Sequence, residues 1–174
     1  QGRLSVLLDN KNSGYVGKEL REHSFEGSRL SVLSALFTLY GFSSLKKELS
    51  KLYSARLFLT NWQEQSLQSL IGSEQEVRQL DQKRVAAECA KWLRGQVEVK
   101  ASTTPQPTQN LICLESEDAT FAVQGSATIS PTGLGDVRSS ALQISTAITD
   151  AETSKQLLAW FDAIWVDQAS VKDI

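Results

Sequence analysis

Cofactor-free cleavage of an ester or phosphodiester needs a nucleophile, a proton shuttle and positive charge near the developing oxyanion. This sequence supplies few such groups. It has one histidine, His23, and two cysteines, Cys89 and Cys113. A mechanism that uses two histidines of one chain is excluded, and so is a cysteine–histidine pair built around either thiol. A zinc site would have to be assembled almost wholly from carboxylates, an iron–sulfur centre lacks thiolates, and no metal is expected. There is no Gly-x-x-x-x-Gly-Lys-Ser/Thr loop, so ATP is not bound by that route, and no cofactor is expected. His23 follows Arg21 and Glu22 at the end of a helical segment, where it suits a helix end and the negative pole of the dipole.

What the sequence offers instead is anion-binding chemistry. Gly125-Ser126, with Thr128, could cradle an anion on backbone N–H groups or form a plain turn. Asp9-Asn10 closes the first strand and could be either a functional pair or an Asx-turn. Lys46, Lys47, Lys51 and Arg56 form one candidate basic patch, and Lys83, Arg84, Lys91, Arg94 and Lys100 form another. The alternative for both is a solvated helix face. Trp92 and Trp165 are expected in or near the core, whereas Trp62 could stack on a base or a partner.

These groups need a scaffold. The chain has 174 residues, 41% of them hydrophobic, which suits one soluble domain with a real core. No apolar run approaches membrane-spanning length. Two cysteines make no disulfide framework, so a reducing, cytoplasmic setting is expected. The net charge of −2 hides an asymmetry. The first hundred residues carry 15 Lys and Arg against 11 Asp and Glu, and the remainder carries 3 against 9. Phosphate contacts are therefore expected in the first hundred residues. The sequence also lacks methionine altogether. It reads either as an excised piece that stops in mid-protein or as a sequence from which methionines have been dropped.

Along the chain, Leu4–Leu8 reads as a strand and Ser13–His23 as a helix. Leu30–Leu39 reads as a central strand, punctuated by Gly41. Phe42, Leu45, Leu49 and Leu52 then recur at helical spacing, and Arg56–Thr60 gives a third strand. Strand–helix alternation of this kind predicts parallel pairing with crossover helices. A long helix is expected from Ser73 to Arg94, ended by Gly95, with Val97–Val99 as a strand and Ala101–Asn110 as a loop. Leu111–Leu114 and Phe121–Val123 read as strands joined by the acidic turn Glu115–Asp118. Gly125–Gly135 reads as a loop and Leu142–Ile148 as a further strand. In the last helix, Thr149 and Glu152 fit a capping box, and Leu157, Leu158, Phe161, Ile164 and Trp165 form an apolar stripe. Val171–Ile174 starts another element.

Several segments, in this order, resemble phospholipase D-like domains, most closely the N-terminal domain of bacterial SNF2-type helicases. They are Leu8-Asp9-Asn10, Val16-Gly17-Lys18-Glu19-Leu20, the run from Leu30 to Thr38, Gly41-Phe42 and Leu45-Lys46-Lys47-Glu48-Leu49. Gly125-Ser126-Ala127-Thr128, followed by Pro131-Thr132-Gly133-Leu134, is similar to that superfamily's Gly-Ser-Ser-Asn segment. Ile148–Ala151 and Trp160-Phe161-Asp162-x-x-Trp165 fit the helicase-linked group. The resemblance implies an α/β fold: a phospholipase D-like half whose mixed, mostly parallel sheet is flanked by helices on both faces. It makes residues 1–174 a single such domain, an excised N-terminal fragment of a larger helicase-type protein.

The family uses a His-x-Lys pair just before the strand that precedes the Gly-Ser-Ser-Asn turn. Counting back from Leu111–Leu114 puts Thr108 at the histidine and Asn110 at the lysine, and Thr128 stands where the asparagine is common. Threonine lacks an activating base and asparagine lacks charge, so the resemblance implies a catalytically degenerate accessory domain of a DNA-dependent motor. The domain alone is then not expected to be an enzyme, although the longer protein would be an ATP-dependent helicase. Lys46, Lys47, Lys83 and Arg84 are the nucleic-acid-binding candidates and Gly125 and Ser126 the anion-loop candidates. DNA, downstream helicase domains and a second copy of the chain are the expected partners, without a membrane. The alternatives are an active phosphodiesterase or nuclease with histidines supplied elsewhere, and a pure protein-interaction or dimerisation module.

Overall fold

The computed structural model describes residues 5–23, 25–60, 79–95, 97–102, 109–166 and 171–173. Its strands are β1 Ser5–Leu8, β2 Arg29–Ser34, β3 Ser54–Leu59, β4 Val97–Ser102, β5 Asn110–Glu115, β6 Thr120–Gly125, β7 Ser145–Ile148 and β8 Val171–Asp173. Its helices are α1 Val16–Arg21, α2 Leu39–Leu49, α3 Gln79–Leu93, α4 Pro131–Leu134 and α5 Ala151–Trp165. All eight strands join one sheet in the order β1-β7-β6-β5-β2-β3-β4-β8.

The class is α/β, with a mixed sheet flanked by helices. Among the described strands parallel pairing is confined to β2–β3–β4; the other neighbouring strands run antiparallel, and a single parallel bridge joins Phe37 to Ile129. The first strand–helix–strand unit does not close as a neighbouring parallel pair. Instead β1 crosses to the far edge and pairs antiparallel with β7, Ser5 opposite Ile148. The place beside β2 is taken by β5, whose Leu111–Leu114 is buried on both faces and needs neighbours on both sides.

Alternation along the strands divides the core. Leu30, Val32, Leu57, Ile112, Leu114, Phe121 and Val123 form one cluster with Val16 and Leu20 of α1, Phe42, Leu45 and Leu49 of α2, and Val85 and Cys89 of α3. Leu33, Phe58, Leu111, Cys113, Ala122 and Ile148 form the other with Leu158, Phe161 and Trp165 of α5. Burial lifts the Cys89 thiol to about 11 and the Cys113 thiol to about 12, so both stay protonated and inert at neutral pH.

The apolar run Leu30–Leu39 is not one strand. It breaks after Ser34, whose hydroxyl donates to the Leu36 carbonyl. Thr38 then caps α2 by accepting from the Gly41 N–H at 3.0 Å. Gly41 lies inside α2 rather than ending a segment, and it must be glycine because a Cβ there would overlap the backbone of Ile129 and Ser130. The last helix is capped by Asp150, not Thr149: its carboxylate accepts from the Thr153 N–H at 3.0 Å. Residues 103–108 of the expected loop, 61–78 and 174 lie outside the described residues, and Ala101 belongs to β4.

Two cations assigned to basic patches are structural. Arg56 lies under α5, ion-paired with Asp162 at 2.7 Å and 4.9 Å from the Phe161 ring centre. Lys100 donates to the Trp165 carbonyl at 2.9 Å and sits over that residue's ring. Both anchor α5, and neither belongs to the surface of α2 and α3.

Candidate functional site

The ends of β2, β3, β4 and β6 and the starts of β5 and β7 meet at one edge of the sheet. This edge holds Asn110, one of the expected motif positions. Thr108 lies outside the described residues. Asn110 is the first residue of β5 and is 8% exposed. Its Oδ1 accepts from the Ala35 N–H at 2.9 Å, and its Nδ2 donates to the Gly125 carbonyl at 3.4 Å. The side chain thus ties β2, β5 and β6 together.

The Gly125–Ser126 segment does not offer the anion cradle that its composition suggests. The Ser126 N–H donates to the Ile144 carbonyl at 2.9 Å, and the Ser126 hydroxyl accepts from the Ile144 N–H. The Ala127 N–H donates to the Ser145 hydroxyl at 3.2 Å. These groups lock the turn to the approach to β7. Gly125 is required there: its φ is +142°, and a Cβ would overlap the Ile144 carbonyl. Thr128 is bonded to Ser130 through their hydroxyls at 2.8 Å, and Ser130 caps α4 by accepting from the Gly133 N–H.

Polar side chains crowd this edge, and they are small and neutral. Ser34, Thr60, Ser102, Asn110, Ser130 and Ser145 are all buried. His23 cannot serve it. Its ring stacks on Phe121 with centroids 3.6 Å apart, near the start of β6, while the candidate site lies at the end of that strand. Four residues of strand separate them, roughly 13 Å at about 3.3 Å per residue. Burial lowers the His23 pKa, which favours the neutral ring over the charged dipole partner expected from the sequence. Among the described residues no group of three His, Cys, Asp or Glu side chains could hold a metal ion.

The basic candidates lie on another surface. Lys46 and Lys47 sit in the last turns of α2, and Lys83 and Arg84 on α3. Glu88 stands between the helices, 2.7 Å from Lys46 and 3.8 Å from Arg84, and the Lys46 contact holds its carboxyl below the usual range. Two of the four cations are therefore partly neutralised, while Lys47 and Lys83 are exposed.

At the end of β1, on the same edge, the Asp9-Asn10 pair that the sequence offered as functional or as an Asx-turn frames a cleft that sequence reasoning missed. Asp9 forms an Asx-type turn, its Oδ1 accepting from Lys11, Asn12 and Ser13 N–H groups at 2.9–3.0 Å. The Ser13 and Lys11 bonds are the main reason its carboxyl titrates below the usual range. Asn10 adopts a left-handed φ of +59°, which asparagine tolerates better than most residues. Its Oδ1 accepts from the Val16 N–H at 2.9 Å, and its Nδ2 donates to the Gly133 carbonyl at 3.0 Å and to Gln143. This latch holds the β1–α1 loop against the loop after α4, and a cleft of about 700 Å³ opens between them. The available sequence signals were Asn10 itself and Arg138, an isolated cation in the acidic part of the chain.

No protein-family model matches this chain, and no curated protein sequence matches it. Solved structures do. NucT from Helicobacter pylori is similar over 98% of this chain and 98% of its own, with a TM-score of 0.60 at 11% identity. Polyphosphate kinase from Porphyromonas gingivalis matches over 99% of this chain, with a TM-score of 0.60 at 14% identity. TrmBL2, an archaeal chromatin protein with a novel mode of DNA binding, matches over 97%, with a TM-score of 0.54 at 9% identity. The chain spans 53% of TrmBL2 and 24% of the kinase. These likenesses establish the fold alone. Among the described residues no helix is long and apolar enough to cross a membrane.

Proposed function

We propose that this chain is a phospholipase D-like domain without a catalytic centre of its own, which holds nucleic acid for a larger protein. One observation carries the loss of catalysis. The sole histidine is stacked on Phe121, at the opposite end of β6 from the place where the fold's chemistry would need it. The position of the charged motif partner is filled by Asn110, whose amide braces three strands. The fold shared with a DNA-binding chromatin protein supports the nucleic-acid part. The sequence's resemblance to the N-terminal domain of SNF2-type helicases supports a place ahead of a helicase motor. The basic face with Lys46, Lys47, Lys83 and Arg84 is a candidate contact, weakened by Glu88 between its helices.

The test is to incubate the purified chain with labelled single-stranded and duplex DNA and RNA and with a chromogenic phosphodiester. Salt-dependent binding without turnover is expected, because phosphate contacts release counterions. Turnover abolished by substitutions around Thr108–Asn110 would overturn the loss of catalysis. Absence of binding to every nucleic acid would overturn the holding role.

A second reading, assembly with another copy, is favoured by the β1 edge. There Leu7 is 47% exposed, and Leu142 and Ile144, leading into β7, are 94% and 62% exposed. Sedimentation equilibrium of the chain and of a Leu7→Lys, Ile144→Lys variant separates the two.

A further inference from the structure

The cleft closed by the Asn10 latch differs in kind from the strand-end site. It is lined by Lys11, Lys18, Arg21 and Arg138, with Asp136 as the facing acid. Arg21 is engaged: it lies 3.6 Å from Glu48 and 3.4 Å from Asp136, and it donates to Ser44. Asp136 also accepts from the Ser44 hydroxyl at 2.5 Å. The nearby Asp9 carboxylate accepts three backbone N–H groups. Lys11, Lys18 and Arg138 are exposed, and none has an ion pair among the described residues. The cleft therefore keeps a surplus of positive charge that the protein does not answer.

Tyr15 adds a flat face. It is 41% exposed, and its hydroxyl donates to the Lys11 carbonyl at 2.8 Å. Its ring edge packs against Gly135, where a Cβ would come within 2.9 Å of Cδ1. Gly135 has φ +81° and ends α4, so this close approach depends on glycine. The ring is thus held in place beside three free cations. Cations distributed along a groove with an aromatic platform suit a nucleic-acid strand, in which every base offers a π-face and every linkage a charge. A compact anion would be met by converging N–H donors, whereas here the Lys11, Asn12 and Ser13 N–H groups are taken by Asp9 and those of Gly135 and Asp136 by carbonyls of α4.

We propose that this cleft binds the backbone of single-stranded nucleic acid, with Lys11, Lys18 and Arg138 on successive phosphates and Tyr15 stacked on a base. The assignment rests on the nucleic-acid-holding role above and gives that role a place. It brings Arg138, from the acidic part of the chain, into a site where the charge distribution pointed to the first hundred residues.

The test uses fluorescence anisotropy with a labelled 20-nucleotide oligothymidine across a salt series. Three proteins are compared: the wild type, a Lys11→Ala, Lys18→Ala, Arg138→Ala variant, and a control Arg29→Ala, Lys155→Ala, Lys172→Ala variant that removes equal charge outside the cleft and both basic patches. Thermal melts confirm that each is folded, and a single Arg138→Ala variant keeps the test open if the triple variant fails to fold. The cleft variant should lose at least tenfold in affinity, and its log–log salt slope should fall by about 2, from three lost contacts at about 0.7 each. Tyr15→Leu should weaken binding with little change in slope. Equal small losses in the cleft and control variants would overturn the assignment while leaving the holding role intact. Stronger binding of a duplex of equal length would overturn the single-strand assignment. No binding of the oligothymidine by the wild type would overturn the cleft, and no binding of any nucleic acid would overturn the holding role with it.

Discussion

Two places lie on one edge of the sheet, separated by the three strand spacings from β5 to β1, roughly 14 Å. They treat polar groups in opposite ways. At the start of β5 the polar side chains are small, buried and bonded to one another or to backbone, as with Asn110, Ser130 and Ser145. At the end of β1 the bonded groups form only the frame, through Asp9 and Asn10, and the charged groups stand exposed around it. A buried polar group that already has its partners stabilises a scaffold and has little left for a ligand. A cation held at the rim of a cleft without a partner costs little while free and can gain from an incoming phosphate. The likeness of fold draws attention to the first place, whereas the electrostatics favour the second.

The sharpest way to break this comparison is to show that the first place is not a scaffold. Asn110→Ala removes two buried hydrogen bonds across three strand ends, so we expect a loss of about 2 kcal/mol in a urea melt. The affinity of the folded fraction for oligothymidine should not change. A ligand role at Asn110 would show the reverse pattern, with affinity lost and stability kept. Asn10→Gly keeps the left-handed backbone and removes the latch. It should cost about 1–2 kcal/mol by the same measurement and weaken oligonucleotide binding as well, because the cleft's two walls lose their tie. Ser130→Ala removes the α4 cap and should cost about 1 kcal/mol, with no effect on binding if α4 only supports the Gly135 turn.

The smallest expected effect belongs to His23. Its folded pKa lies below the unfolded value near 6.5, so the unfolded chain takes up the proton first as pH falls. Stability should be full above that value and decline as pH drops through the window down to the folded pKa. A His23→Phe variant should lose this dependence while keeping the stack on Phe121. If stability instead rose on acidification, the ring would be acting as a charged partner.

Much of the fold was legible in the sequence because period and punctuation agreed. The apolar stripe from Leu157 to Trp165, the Gly95 stop and the β5–β6 hairpin around Glu115–Asp118 are all local. The errors came where local pattern meets tertiary demand. Leu30–Leu39 is apolar on both faces, so periodicity could not show that Ser34 breaks the strand and Thr38 starts a helix. Gly41 reads as a stop unless one knows that the backbone of Ile129 and Ser130 lies against it. Asn110 could be named at a strand start because the sequence marks Leu111–Leu114 as a strand directly after it. The cleft could not, because Lys11 and Arg138 come to line one cleft through the β1–β7 pairing and the Asn10 latch, and nothing near either residue announces the other.

That pairing also sets a schedule. Ser5 finds its partner in Ile148, 143 positions later in the chain. At the usual 5–20 residues per second of synthesis, about 7–30 s pass between making the two. Throughout that interval β1 has no strand to join, and Leu7 and Leu8 are available to any other unpaired edge. β1 is thus among the last parts of this sheet to be completed during synthesis. A slowly translated or stalled chain would expose an incomplete β1 edge and no phosphate cleft at all.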